Sequence, residues 1–194
     1  VRSRNVGATK IGSRSGRERF SDYVARFGFG RPTSPDFPGE SPGIVWDVAS
    51  WTDSALMSVS MGYQVGVTPL QMAAATSVVA NGGRLIEPRV VRAMHRDDRR
   101  YDVQPRVIRS PIGPDTAAAL TTIMEEVVER GTGRAAAVPG YAVAGKSGTA
   151  SKLVGGRYSD TEYNASFTGF APSRRPVIAV IVVIDAPNSG RPYA

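Results

Sequence analysis

The chain has 194 residues, 41% hydrophobic and 21% charged, which suits one folded domain with a core and excludes a disordered polymer. It contains no cysteine, so disulfides and thiolate metal sites are excluded. The net charge of +7 comes almost wholly from scattered arginines; the densest group, Arg96, Arg99 and Arg100, is diluted by Asp97 and Asp98, so a solvated face is expected and not a nucleic-acid surface.

In chain order, residues 18 to 27 read as a helix with Phe20, Tyr23, Val24 and Phe27 on one face and Gly28 as its stop. Residues 31 to 45 are rich in Pro and Gly and are expected to be loop. Thr68-Pro69-Leu70-Gln71 predicts a helix start: Thr68 caps, Pro69 suits the first turn, and Gln71 closes a capping box. That helix should reach Ala80 and end at Asn81-Gly82-Gly83. The lone His95 falls in an Arg/Asp-rich strand or turn and reads as solvated, while Trp46, Trp51 and Tyr63 read as packing residues. A second strong helix is expected over 115 to 130, with Leu120, Ile123, Met124, Val127 and Val128 as its buried stripe.

The last third changes period. Tyr141 to Ala150, Tyr163 to Phe170 and Pro176 to Asp185 predict three strands, the last two joined by a short connection and so antiparallel. Helices first and strands last imply an α/β chain of the α+β kind, an antiparallel sheet flanked by helices. No run approaches the ~20 apolar residues of a membrane span. The best, Val177 to Ile184, is strand-sized.

Lys146 admits two chemistries. Gly140 to Ser147 satisfies the phosphate-loop pattern G-x-x-x-x-G-K-[ST], and Val180 to Asp185 could pass for its metal-holding strand, which makes a nucleotide hydrolase a rival reading. A phosphate loop needs a helix starting at its Gly-Lys-Ser, yet Tyr141 and Val143 favour a strand and Gly148 follows at once. In the other reading 141 to 150 is an edge strand beside a cleft. Lys146 then projects a cation, and the hydroxyls of Ser147 and Thr149 hold a carboxylate. Gly148 admits a ligand close to the backbone, and the Thr149 N–H faces a developing oxyanion.

The second reading gains weight from other segments. Ser3-Arg4-Asn5 pairs a hydroxyl with an amide. Phe27-Gly28-Phe29-Gly30, Phe37-Pro38-Gly39-Glu40-Ser41, Gly62-Tyr63-Gln64, Val67-Thr68-Pro69-Leu70-Gln71, Ala80-Asn81-Gly82-Gly83, Gly131-Thr132-Gly133 and Ser166-Phe167-Thr168-Gly169-Phe170-Ala171-Pro172 follow in order. With Lys146-Ser147-Gly148-Thr149 they resemble the transpeptidase domain of class B high-molecular-weight penicillin-binding proteins over almost the whole chain. That family carries S-x-x-K, S-x-N and K-T-G motifs. Ser3 to Asn5 looks like the second and Lys146 to Gly148 like the third, with Ser for Thr. No S-x-x-K exists here: Gly7, Val143 and Thr149 stand three residues before Lys10, Lys146 and Lys152, the only lysines.

The resemblance implies a peptidoglycan D,D-transpeptidase that works through a serine acyl-enzyme and is acylated by β-lactams. Residues 1–194 would be a partial domain, lacking the upstream nucleophile segment and a C-terminal helix, and inactive alone. It implies Ser3, Asn5, Lys146 and Thr149 as catalytic residues, and Ser147, Gly148 and Thr149 as substrate-binding residues. It implies no metal or cofactor. Stem peptides and β-lactams would be its ligands, membrane proteins of the division or elongation machinery its partners, and the outer face of the cell membrane its place. A non-catalytic sensor of β-lactams or wall peptides on the same fold is the alternative.

Overall fold

The structure is a computed structural model and describes residues 4–187. It opens with α1 (Asn5–Ser15) and α2 (Arg17–Arg26), joined at Gly16, whose φ of 76° lets the chain break between them. The Pro/Gly-rich stretch that follows is mostly loop but ends in β1 (Ile44–Val45). Then come α3 (Asp53–Ser60), β2 (Val65–Gly66), α4 (Pro69–Ala80), β3 (Leu85–Ile86), the hairpin β4 (Ala93–Arg96) and β5 (Arg99–Asp102), β6 (Val107–Arg109) and α5 (Pro114–Arg130). Three longer strands close the order: β7 (Ala144–Val154), β8 (Arg157–Ala171) and β9 (Ile178–Asp185).

The main sheet has the order β7-β8-β9, both pairs antiparallel, so the expected hairpin between the last two strands is present. β1–β2, β3–β6 and β4–β5 form three small antiparallel pairs. α5 lies along β7, and α4 lies across β8 and β9. This is the helices-on-an-antiparallel-sheet architecture anticipated above.

α4 begins as its sequence dictates. The Thr68 hydroxyl accepts from the Gln71 N–H at 3.1 Å, and Gln71 Oε1 accepts from the Thr68 N–H at 2.9 Å. Gln71 does more than cap. It is 1% exposed, and its Nε2 donates to Arg31 O and Pro42 O, pinning the preceding loop onto the helix.

Among the described residues the core falls into three clusters: Trp51, Leu56 and Val59; Ala74, Val78 and Leu85; and Val79, Ala144 and Phe170. The last joins α4 to the sheet. Phe170 is 1% exposed, and burying it is worth roughly 2–3 kcal/mol. Two packing expectations need correction. Ile123 is 53% exposed, and the inner side of α5 uses Ala117, Thr121 and Glu125 beside Val127 and Val128. Trp46 is 62% exposed, whereas Trp51 is buried and donates its indole N–H to Trp46 O.

The burial of Glu125 has a physical reason. It accepts from Ser173 Oγ and from Arg174 Nε and Nη2, the latter two at 2.9 and 2.6 Å. A buried carboxylate is tolerated when charge-assisted donors meet it. These bonds, with the Ser173 N–H on Ala142 O at 2.8 Å, tie the β8–β9 turn to α5 and to the entry of β7.

Candidate functional site

The predicted lysine strand is an edge strand, and it starts later and runs further than expected, from Ala144 to Val154. Strand, not helix, continues through Lys146 and Ser147, so the helix that a phosphate loop requires there is not formed. Alternation along β7 puts Ala144, Lys146 and Gly148 on one face and Gly145, Ser147 and Thr149 on the other. Ala144 is fully buried against Val79 and Phe170, so the Lys146 face is the one turned toward α4. In register, Lys146 stands opposite Thr168, whose hydroxyl shares a hydrogen bond with Thr76 of α4.

Lys146 is partly buried, and its ammonium donates to Ser147 O. Burial holds its pKa below the ordinary lysine value. It forms no ion pair among the described residues. An anion laid against it would therefore meet a cation that is already partly desolvated and uncommitted to a carboxylate.

The other face carries hydroxyls. Thr149 is exposed, while Ser147 is 9% exposed and donates its hydroxyl to Thr132 Oγ1 at 2.8 Å. Gly148 sits where a Cβ would come within 2.7 Å of Ser166 Oγ, so a side chain there would push the Ser166 hydroxyl aside. Phe167, opposite Ser147, packs close to Gly133 and Gly145. The far end of the hairpin is fastened by Tyr158, whose ring meets Tyr63 edge-on at 4.9 Å and whose hydroxyl accepts from the Gln64 N–H at 3.3 Å.

Of the anticipated site residues, β7 brings together Lys146, Ser147, Gly148 and Thr149. Ser3 lies outside the described residues. Asn5 is the first residue of α1, after Arg4 at the N-cap, and is exposed. No hydrogen bond joins Asn5 to Lys146 among the described residues. Sequence reasoning missed Thr132 as a partner of the strand. Gly131-Thr132-Gly133 stood among the segments that carry the resemblance, but nothing in the sequence joined it to Ser147.

Comparison with known proteins covers the whole chain. The family model described as penicillin binding protein transpeptidase domain matches residues 1–194. The chain is 37% identical to the probable peptidoglycan D,D-transpeptidase PbpC of Pseudomonas aeruginosa, across 97% of this chain and 32% of that protein. It is 36% identical to the penicillin-binding protein PbpB of Mycolicibacterium smegmatis, across 96% of this chain and 30% of that protein. The chain thus spans about a third of the length of the curated relatives it matches. Among solved structures, penicillin binding protein 3 of Mycobacterium tuberculosis complexed with aztreonam aligns with a TM-score of 0.90 at 33% identity, over 97% of this chain and 44% of that one.

Proposed function

The chain belongs to the penicillin-binding protein transpeptidase domain family, and from that premise we propose that it supplies the carboxylate-holding part of a peptidoglycan D,D-transpeptidase site. The observation that carries the proposal is β7: among the described residues it is an edge strand that presents a partly buried ammonium without an ion-pair partner on one face and the hydroxyls of Ser147 and Thr149 on the other. A stem peptide ending in D-Ala-D-Ala, laid along that edge, would meet Lys146 and the two hydroxyls at its terminal carboxylate.

In the reaction so proposed, a serine hydroxyl attacks the carbonyl carbon of the D-Ala-D-Ala bond. The tetrahedral oxyanion collapses, D-Ala leaves as an amine carrying the transferred proton, and an acyl-enzyme remains. The amine of a neighbouring stem peptide then takes the acyl group. The Thr149 N–H would stabilise the oxyanion, and Gly148 would let the substrate backbone close on the strand. Ser3 and Asn5 would relay the proton and orient the donor amide. Lys146, with its lowered pKa, would set the local potential and support that relay. A β-lactam would enter the same clamp and stop at the acyl stage.

The nucleophile belongs to an S-x-x-K motif that the 194 residues do not contain. The 194 residues would therefore be a partial transpeptidase domain that binds and does not turn over. The same observation favours a second reading, a non-catalytic module that senses wall peptides or β-lactams. The full protein would work at the outer face of the cell membrane, with membrane proteins of the division or elongation machinery as partners. Incubation with a fluorescent penicillin tests the division of labour. The 194-residue chain should show no covalent label, and a protein extended upstream through an S-x-x-K segment should be labelled. Covalent labelling of the 194-residue chain would refute the proposal. An upstream sequence without S-x-x-K would select the sensor.

A further inference from the structure

Ser147 cannot act as a simple carboxylate donor in the arrangement seen. A serine hydroxyl has one proton and two lone pairs. Here its oxygen lies 2.8 Å from Thr132 Oγ1 in donor geometry, and while that bond is made Ser147 would show an incoming carboxylate only lone pairs. Thr132 carries a proton of its own, and its hydroxyl donates to no protein acceptor among the described residues.

Thr132 is held in place from three sides. The N–H groups of Gly131 and Gly133 both donate to Val127 O, at 3.1 and 3.0 Å, fixing the turn on the last residues of α5. Gly133 is buried, and a Cβ there would lie 3.2 Å from Val127 Cγ1 and 3.3 Å from Phe167 Cε2. Phe167 is the residue directly opposite Ser147 in the β7–β8 register. The helix end, the turn and the sheet therefore jointly set the distance between the two hydroxyls.

We propose that Thr132 is a positioning residue for the carboxylate clamp: when a peptide carboxylate arrives, both hydroxyls turn, Thr132 donates to Ser147 Oγ, and Ser147 donates to the carboxylate. Protons and hydrogen bonds balance. The Thr132–Ser147 bond is remade in the reverse direction once the Thr132 side chain rotates its hydroxyl into donor geometry, and one new charge-assisted bond forms. A hydroxyl that is itself accepting a hydrogen bond is a stronger donor, so the pair acts cooperatively. The proposal rests on the reading of β7 as a carboxylate clamp.

The test compares two ligands on the 194-residue chain by ¹⁵N-resolved NMR titration: diacetyl-Lys-D-Ala-D-Ala, and the same peptide with its C-terminus amidated. Wild type should bind the acid more tightly than the amide. Thr132→Val and Thr132→Ala, made in parallel and checked by their unfolding midpoints, should each lose about 5-fold in affinity for the acid and nothing for the amide. Thr132→Ser should restore the preference. On a Ser147→Ala background, Thr132→Val should have no further effect. If the truncated variants keep the wild-type preference, or lose acid and amide affinity equally, Thr132 is not a positioning residue and the clamp reading stands. If wild type itself shows no preference for the acid, the clamp reading fails and the proposal falls with it.

Discussion

Two lysines on β7 sit in opposite electrostatic circumstances. Lys152 donates to Asp185 at 2.8 Å with Glu162 near, and these raise its pKa; Lys146 is partly buried with no acid partner among the described residues, and burial lowers its pKa. The lowered value makes Lys146 costly to the fold. Between its folded-state pKa and the ordinary lysine value, the unfolded chain binds more protons than the folded one, so stability rises as pH climbs through that window. Below the window both states are charged, and the cost of sheltering the cation is present in full. Lys146→Met keeps the stem and removes the charge. It should be more stable than wild type at pH 7 in urea unfolding, and its advantage should shrink as pH approaches 10.5. An advantage that stays constant across that range would show that Lys146 carries no such cost.

At the scale of elements, β7 and β8 can approach as they do because Gly145 has no side chain. A Cβ there would overlap the Phe167 ring and come within 3.0 Å of Thr168 O. Gly145→Ala should therefore cost roughly 1–3 kcal/mol, read as a lower urea midpoint at unchanged slope, and Phe167→Leu should recover part of it. A neutral Gly145→Ala would mean that the strands have room to separate.

Elements whose signals are local were legible in the sequence, and elements defined by distant partners were not. α4 was plain because Thr68, Pro69 and Gln71 announce its start within four residues. α1 was not, since Val6 and Ile11 are 65% and 69% exposed and no apolar stripe marks it. β1 and β3 have two residues each and exist only through β2 and β6, about 20 residues away, so no periodicity could show them. At the site, the β7 side chains could be read from a motif. Thr132 could not, because its meeting with Ser147 is a product of tertiary packing.

Across the whole molecule, one sheet face is covered by helices, and the other is packed near Ser147 and Phe167 but open along β9. α4 and α5 cover the first; on β9, Val180, Val182 and Ile184 point the other way and are 41%, 49% and 52% exposed. β9 is also an outer strand of the sheet among the described residues. An apolar stripe along an unpaired edge invites pairing with another chain. The 194-residue chain should associate as its concentration rises in sedimentation velocity, and Val182→Lys should shift it toward monomer. Equal association of both proteins would place the sticky surface elsewhere.

The order of strands and helices along the chain also bears on how the site is assembled. β7 and β8 are joined by Gly155-Gly156 and can zip outward from that turn, Val154 opposite Arg157 first and Ala144 opposite Phe170 last, whereas α4 meets β9 only by closing a loop of about a hundred residues. Closing short loops is fast and closing long ones is slow. The strand that carries Lys146 to Thr149 can therefore take its shape early in folding, as a free-standing hairpin. The docking of α4, which buries Ala144 and Phe170, is the later event that closes the helix face of that hairpin.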